Sequence, residues 1–228
     1  MDKKGILLKT GLLDFEQAWH LQKDLHQRCV EDDAEDTLIL TEHPHTYTLG
    51  KSGKESHLIA NEVALAQRGI TVYRIDRGGD ITYHGPGQIV GYPIINLRRH
   101  YLDVHRFLRD LEEVLIRTLA SYDIEAGRTE GLTGVWVRGA KVAAIGVKVA
   151  RWVTMHGFAF NVNTDLSYFQ NIVPCGISDK PVTSLGLLLG RQVDFKEVVD
   201  RVRKDFEHVF GLQLQEVALT AADGFQLK

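Results

Sequence analysis

Cysteine is scarce. The two present among 228 residues, Cys29 and Cys175, cannot build a disulfide framework, and a reducing compartment is the natural setting for such a chain. Five prolines are scattered, and no Pro-, Gly- or Ser-rich stretch or charge run divides the sequence, so residues 1–228 read as one domain with no linker. No run approaches the ~18 apolar residues of a membrane span. The N-terminal Lys3-Lys4-Gly5-Ile6-Leu7-Leu8 lacks the apolar core and cleavage site of a signal peptide. A cytoplasmic protein with no membrane association is expected. A net charge of −3 argues against bulk affinity for nucleic acid. No Gly-Lys-Ser/Thr follows the glycine-rich segment, and no Gly-x-Ser-x-Gly elbow exists, which excludes a Walker A loop and an α/β-hydrolase serine. His43 and His45 alternate as metal ligands can, but no third ligand follows at suitable spacing, so no metal is expected.

Acidic residues are also missing from Gly131 to Thr164, where Arg138, Lys141, Lys148 and Arg151 all fall. This is either chance on a solvated strand pair or a surface that steers acidic partners. Against these absences stands an ordinary globular content of apolar residues, 44% of the chain, enough for a real core.

Asp14 followed by Gln17 opens a helix running to about Cys29. Thr37–Thr41 and Thr46–Leu49 are short strands broken by His43-Pro44-His45, and Thr71–Ile75 is another. Between them a short helix near Asn61–Arg68 stops at Gly69. Arg77–Gly87 holds four glycines and a proline and reads as a structured loop, followed by a buried strand over Ile89–Leu97. Val104, Phe107, Leu108, Leu111, Val114, Leu115 and Leu119 recur at helical steps. Val135–Val137, Lys141–Val149 and Gly157–Val162 look like adjacent strands, and Asp194 caps a last helix closed by Gly211. Strands and helices interleave without a regular βαβ rhythm. The expected fold class is therefore α/β, a mixed sheet flanked by helices.

Four features could carry chemistry. Arg77-Gly78-Gly79-Asp80-Ile81-Thr82-Tyr83-His84 opens a loop whose glycines allow close backbone approach to a ligand, unless it is a mere surface turn. Lys141 is a lone cation entering an apolar strand, either snorkelling at a strand end or buried. His156-Gly157 begins a strand, where His156 is most simply a hydrogen-bonded histidine and Gly157 a point of close approach. Cys175, between Pro174 and Gly176, sits outside any periodic apolar segment, which favours an exposed thiol over a buried hydrophobe; Cys29, inside the first helix, reads as core.

Taken together, these blocks resemble a known family. Arg77-Gly78-Gly79-x-x-Thr82-Tyr83-His84-Gly85-Pro86-Gly87-Gln88 is similar to the signature of the lipoyl(octanoyl) transferases. So are Thr133-Gly134-Val135-Trp136-Val137, Lys141 with Ile145-Gly146, His156-Gly157, Asn161-Val162-Asn163 and Pro174-Cys175-Gly176-Ile177. The blocks occur in the family's order, roughly from Gly11 to Val209.

The resemblance implies a fold like the catalytic domains of biotin and lipoate protein ligases. It implies transfer of octanoyl from acyl carrier protein, where phosphopantetheine carries it, to a lysine on lipoyl-accepting domains. Those would be the lipoyl domains of 2-oxoacid dehydrogenases and the glycine cleavage H protein. No cofactor of the enzyme's own is implied. By position, Cys175 matches the acyl-thioester nucleophile and Lys141 the residue that lowers its pKa. Arg77–His84, Ala144-Ile145-Gly146 and Gly157-Phe158-Ala159 match the substrate-binding segments. His45 stands where the family carries proline, in a loop expected to be peripheral. A lipoyl amidotransferase and an ATP-dependent lipoate ligase on the same fold are the competing readings.

The chemistry needs such a pair. A thiol with a pKa of about 8.5 is only a few per cent thiolate at neutral pH. A neighbouring ammonium that lowers that value by ~1.5 supplies about 2 kcal/mol. Six buried methylenes at ~0.8 kcal/mol each would give an acyl tunnel about 5 kcal/mol of binding. Val, Ile and Phe residues near the glycine loop are the expected lining.

Overall fold

The computed structural model describes residues 3–173 and 180–219. Three amphipathic helices frame it, each opened by an aspartate whose carboxylate accepts from free first-turn N–H groups. Asp14 accepts from Glu16 and Gln17 and opens α1, Phe15–Val30. A short α2, Glu62–Gln67, is capped by Asn61. Asp103 caps α3, Val104–Ala120. A single turn and a half, α4, spans Leu185–Leu189. Asp194 caps α5, Phe195–Phe210, which ends at Gly211 with φ 60°, a left-handed stop that glycine takes without strain.

The main sheet has eight strands: β1 (Lys3–Leu12), β2 (Thr37–Glu42), β6 (Gln88–Ile94), β7 (Gly127–Thr129), β8 (Leu132–Val137), β9 (Ala140–Ala150), β10 (Val153–Asn161) and β11 (Leu212–Glu216). Their spatial order is β11-β1-β2-β6-β10-β9-β8-β7. β1 pairs parallel with both β11 and β2, and the remaining pairs are antiparallel. A second sheet, ordered β4-β3-β5, joins β3 (Thr46–Leu49), β4 (Thr71–Arg74) and β5 (Ile81–His84). This is the expected mixed sheet flanked by helices.

Strand parity shows why both faces of the main sheet are covered. Leu7, Leu38, Leu40 and Ile89 point into one core with Leu111, Val114, Leu115, Val198, Val202 and Phe206 of α3 and α5. Their neighbours Leu8, Ile39 and Val90 point the other way, against Ala18 and Leu21 of α1. Successive side chains alternate across a sheet, so a strand buried on both sides reads as a continuous apolar run.

Three expectations need correction. Arg77–Gly87 is not all loop: Ile81–His84 forms β5, antiparallel to β3. Its four residues are buried and β-branched or aromatic for the most part, and that local preference outweighs the flanking glycines. The strand after Trp152 begins at Val153, so His156 lies inside β10 rather than at its start. The buried strand β6 ends at Ile94, and Leu97 starts a 3-10 turn whose cap is Asn96.

Candidate active site

The cleft is made by what the sheet leaves out. β10 and β9 pair Gly157 with Gly146 and Ala159 with Ala144, and β6 sets Val90 opposite Ala159. Paired residues share a face, so glycine and alanine form one flat floor on the α1 side of the sheet. Above that floor stand Phe15 from α1, Ile75, Arg77 and Gly79–Thr82 from the segment leading through β5, and His84. Ile145, Phe158 and Tyr92 complete the lining of a narrow cleft with about 50 Å3 of free space. The roof presses close: a Cβ on Gly146 would stand 2.8 Å from the carbonyl oxygen of Gly78.

Of the substrate-binding positions expected from the sequence, Arg77, Gly79, Asp80, Ile81, Thr82, His84, Ala144, Ile145, Gly146, Gly157, Phe158 and Ala159 all line this cleft. Gly78 and Tyr83 do not. Gly78 anchors the roof by donating its N–H to the Val147 carbonyl, 2.9 Å. Tyr83 points to the opposite side of β5, into a cluster with Tyr47, Leu65 and Ile172. There its hydroxyl meets His45 Nδ1 at 2.7 Å, and His45 stacks on Tyr168 with ring centroids 4.2 Å apart. The His45 loop is thus packed against the signature segment, not peripheral to it.

The polar walls are held by hydrogen bonds. Arg77 is buried, and its Nη2 donates to the Thr48 carbonyl (2.6 Å) and hydroxyl (3.0 Å). Asp80 accepts from the N–H groups of Ile81 and Lys54 and pairs with His57 Nδ1. His43 donates to the Leu13 carbonyl and receives the Tyr92 hydroxyl, both at 2.7 Å. Burial holds its pKa down at about 4, so the ring is neutral. Burial likewise pushes His84 well below the ordinary histidine value. Both histidines that alternate in the sequence are therefore occupied by hydrogen bonds to backbone or tyrosine.

Two residues that the sequence reading left without a role belong to this wall. His156, 2% exposed, donates Nε2–H to Asp76 at 2.9 Å, while Lys148 meets the other oxygen at 2.5 Å. The hydrogen bond from His156, then Lys148, holds the Asp76 carboxyl below the usual range, and burial lowers the His156 pKa. His156 also has φ 61°, costly for a non-glycine residue. The register that pairs Phe158 with Gly91 places Pro93 opposite His156. Proline has no N–H to offer the His156 carbonyl, while the His156 amide donates to Gln22 Oε1 at 2.9 Å. Pro93 inside an apolar strand was the available signal. Lys148, bound to Asp76, also faces the cleft wall rather than standing ready to steer a partner.

Lys141 sits at the start of β9. Its ammonium lies 4.7 Å from the centre of the buried Trp136 ring, a cation–π distance, and Lys180 lies 5.8 Å from the same ring. Its backbone holds the chain that returns toward the site: Lys141 N–H donates to Pro181 and Thr183 N–H donates to Lys141, each at 2.9 Å. On the other side of the gap, Val173 N–H donates to the His57 carbonyl at 2.8 Å. Cys175 itself lies outside the described residues. Cys29 is fully buried in α1 against Ile94, Val153 and Met155, as expected of a core residue, and burial raises its pKa to about 11.

Known proteins share this arrangement. The lipoyl protein ligase A/B catalytic domain model matches residues 14–207. An octanoyltransferase from Cytophaga hutchinsonii is 47% identical, covering 95% of this chain and 97% of its own. One from Flavobacterium johnsoniae is 48% identical, over 94% and 100%. A bipartite lipoate protein ligase, studied with its E2 lipoyl domain from Thermoplasma acidophilum, superposes with a TM-score of 0.77 at 16% identity, covering 97% of this chain and 89% of that one. The last likeness speaks for the fold alone. On the strength of the domain match and the close relatives, the chain belongs to the lipoyl protein ligase A/B catalytic domain family, on its octanoyltransferase branch, and is an acyltransferase.

Proposed function

We propose that this enzyme moves an octanoyl group from acyl carrier protein to a lysine of lipoyl-accepting domains, through a thioester on Cys175, as the first step of protein lipoylation in the cytoplasm. The acceptors are the lipoyl domains of 2-oxoacid dehydrogenases and the glycine cleavage H protein. The name borne by the close relatives supports the acyl group. No helix among the described residues is long and apolar enough to cross a membrane.

The observation that carries the mechanism is the double hydrogen bond between Lys141 and the Pro181–Thr183 segment. Cys175 is five residues before Lys180 and two after Val173. Val173 is hydrogen-bonded to His57, which holds Asp80 on the cleft wall. These tethers support a thiol at the mouth of the apolar cleft with an ammonium nearby.

The Cys175 thiolate attacks the carrier thioester, the bond from carbonyl carbon to pantetheine sulfur breaks, and the carrier sulfur leaves as a thiol with the proton of the Lys141 ammonium, which becomes neutral. The acyl chain lies over the Gly-Ala floor. The acceptor amine then attacks the new thioester, Lys141 Nζ takes its proton, and Cys175 departs as the amide forms. Thioester to amide runs downhill, so neither ATP nor a cofactor is needed.

Incubation with octanoyl acyl carrier protein, followed by intact mass and peptide mapping, should find one octanoyl group on Cys175, and Cys175→Ala should abolish transfer. Full activity in Cys175→Ala, or a requirement for ATP and free octanoate, would replace this reading with that of a ligase. Preference for an acylated protein over acyl carrier protein as donor would make it a lipoyl amidotransferase.

A further inference from the structure

Gln88 and Asn161, both in signature motifs, do not line the cleft. They are nevertheless 1% and 4% exposed, deep between the cleft wall and the strand segment beside Lys141. Their hydrogen bonds form one directed chain. The Thr183 carbonyl can only accept, so Asn161 must present Nδ2 to it, at 3.0 Å. Asn161 Oδ1 then faces Gln88 Nε2, 2.9 Å away, and the same Nε2 donates to the Tyr83 carbonyl at 3.1 Å. Gln88 Oε1 is left to accept from His84 Nδ1 at 3.0 Å, which puts the imidazole proton on Nδ1. His84 Nε2 accepts from the Thr48 hydroxyl at 3.3 Å, and that oxygen accepts from Arg77 at 3.0 Å. At the far end, Thr183 N–H reaches the Lys141 carbonyl.

We infer that Asn161 is a positioning residue for acyl transfer: through Thr183 it holds Lys141 in register with the cleft that Arg77 and His84 wall. This rests on the transfer reading given above. Every link has one possible polarity, so the chain has a single arrangement and does not adjust piecemeal. Both ends bear on the transfer reading, since Arg77 and His84 line the cleft while Thr183 donates to the Lys141 carbonyl. Asn161 is the link that crosses from β10 to the Lys180–Thr183 segment. Misplacing a reacting group by about 1 Å can cost on the order of 100-fold in rate.

The test compares Asn161→Ala and the milder Asn161→Ser with Thr118→Val. Thr118→Val removes a buried hydroxyl that donates to Val114 and Asp205 between α3 and α5, away from the cleft. With octanoyl acyl carrier protein as donor, the Asn161 variants are expected to lower kcat about 10- to 100-fold while KM stays within about threefold. Thr118→Val should lose comparable melting temperature with kcat unchanged. In combination with Gln88→Ala, Asn161→Ala should cost little more than the worse single variant. Wild-type kcat in Asn161→Ser, or a loss in Asn161→Ala matched by Thr118→Val at equal melting temperature, would overturn the inference. An active Cys175→Ala would instead overturn the thioester reading, whatever Asn161 does.

Discussion

The two faces of the central sheet are built from the same strands and behave as opposites. On the α3–α5 face, Leu111, Val114, Leu115 and Phe206 fill their space completely against Leu38, Ile89 and Val142. On the α1 face, the floor of Gly146, Gly157, Ala144 and Ala159 keeps space empty, and the walls are held by hydrogen bonds through His43, His84, His156 and Arg77. One face is stable because nothing can be removed. The other works because nothing has been added, and it must fix its walls by polar bonds instead of packing.

That contrast separates chemistry from stability. The largest effect should come from Lys141→Met, which is expected to lower the octanoyl-transfer rate about a thousandfold, within the range for lost proton transfer and charge stabilisation. Its melting temperature should stay within a few degrees; unaltered kcat would sever Lys141 from the cleft. Phe206→Ala should do the reverse. Removing this fully buried ring should cost about 3–5 kcal/mol in urea unfolding while leaving KM for the donor unchanged well below the transition.

The polar wall carries its own stability cost, visible in acid. His43 is held neutral to about pH 4, while in the unfolded chain it takes up a proton near pH ~6.5. Between those values the unfolded state binds more protons, so stability falls as pH drops through that window, by on the order of 3 kcal/mol for this residue. His84 acts in the same direction. Denaturant titrations from pH 7 to 4 should show the decline, and His43→Asn should flatten it. The smallest effect is on selectivity. Ala144→Val adds bulk to the floor and should favour shorter acyl donors over octanoyl by ~1–3 kcal/mol, about tenfold or more in relative kcat/KM. An unchanged chain-length profile would show that the acyl group does not lie over β9.

Much of this was legible beforehand, for reasons that differ by element. α1 and α5 announced themselves through Asp14 and Asp194 ahead of apolar residues at helical spacing, and the caps are where expected. Of the cleft-lining segments, composition pointed only to the Arg77–Gln88 loop and to Gly157; Ala144-Ile145-Gly146 and Phe158-Ala159 came from the family resemblance alone, because small residues in a strand are common in any sheet. β1 was missed because Lys4, Gly5, Lys9 and Gly11 interrupt its alternation, and part of it is exposed. β11 carried a readable signal, Leu212-Gln213-Leu214-Gln215, with both leucines buried and the glutamines exposed or nearly so. His156 was seen but not placed, since its partner Asp76 is 80 residues away in the sequence.

The pairing of β1 with β11 has a consequence for how the chain is made. β1 leaves the ribosome well before β11, and its outer edge has no partner until Leu212–Glu216 follow α5 out. Lys9 waits just as long for its two carboxylates, Asp200 and Glu216. Until then the nascent chain carries an open strand edge, the kind of surface that recruits a neighbouring polypeptide. β11 acts as a clasp, drawn across a site of aggregation that stays uncovered until it arrives.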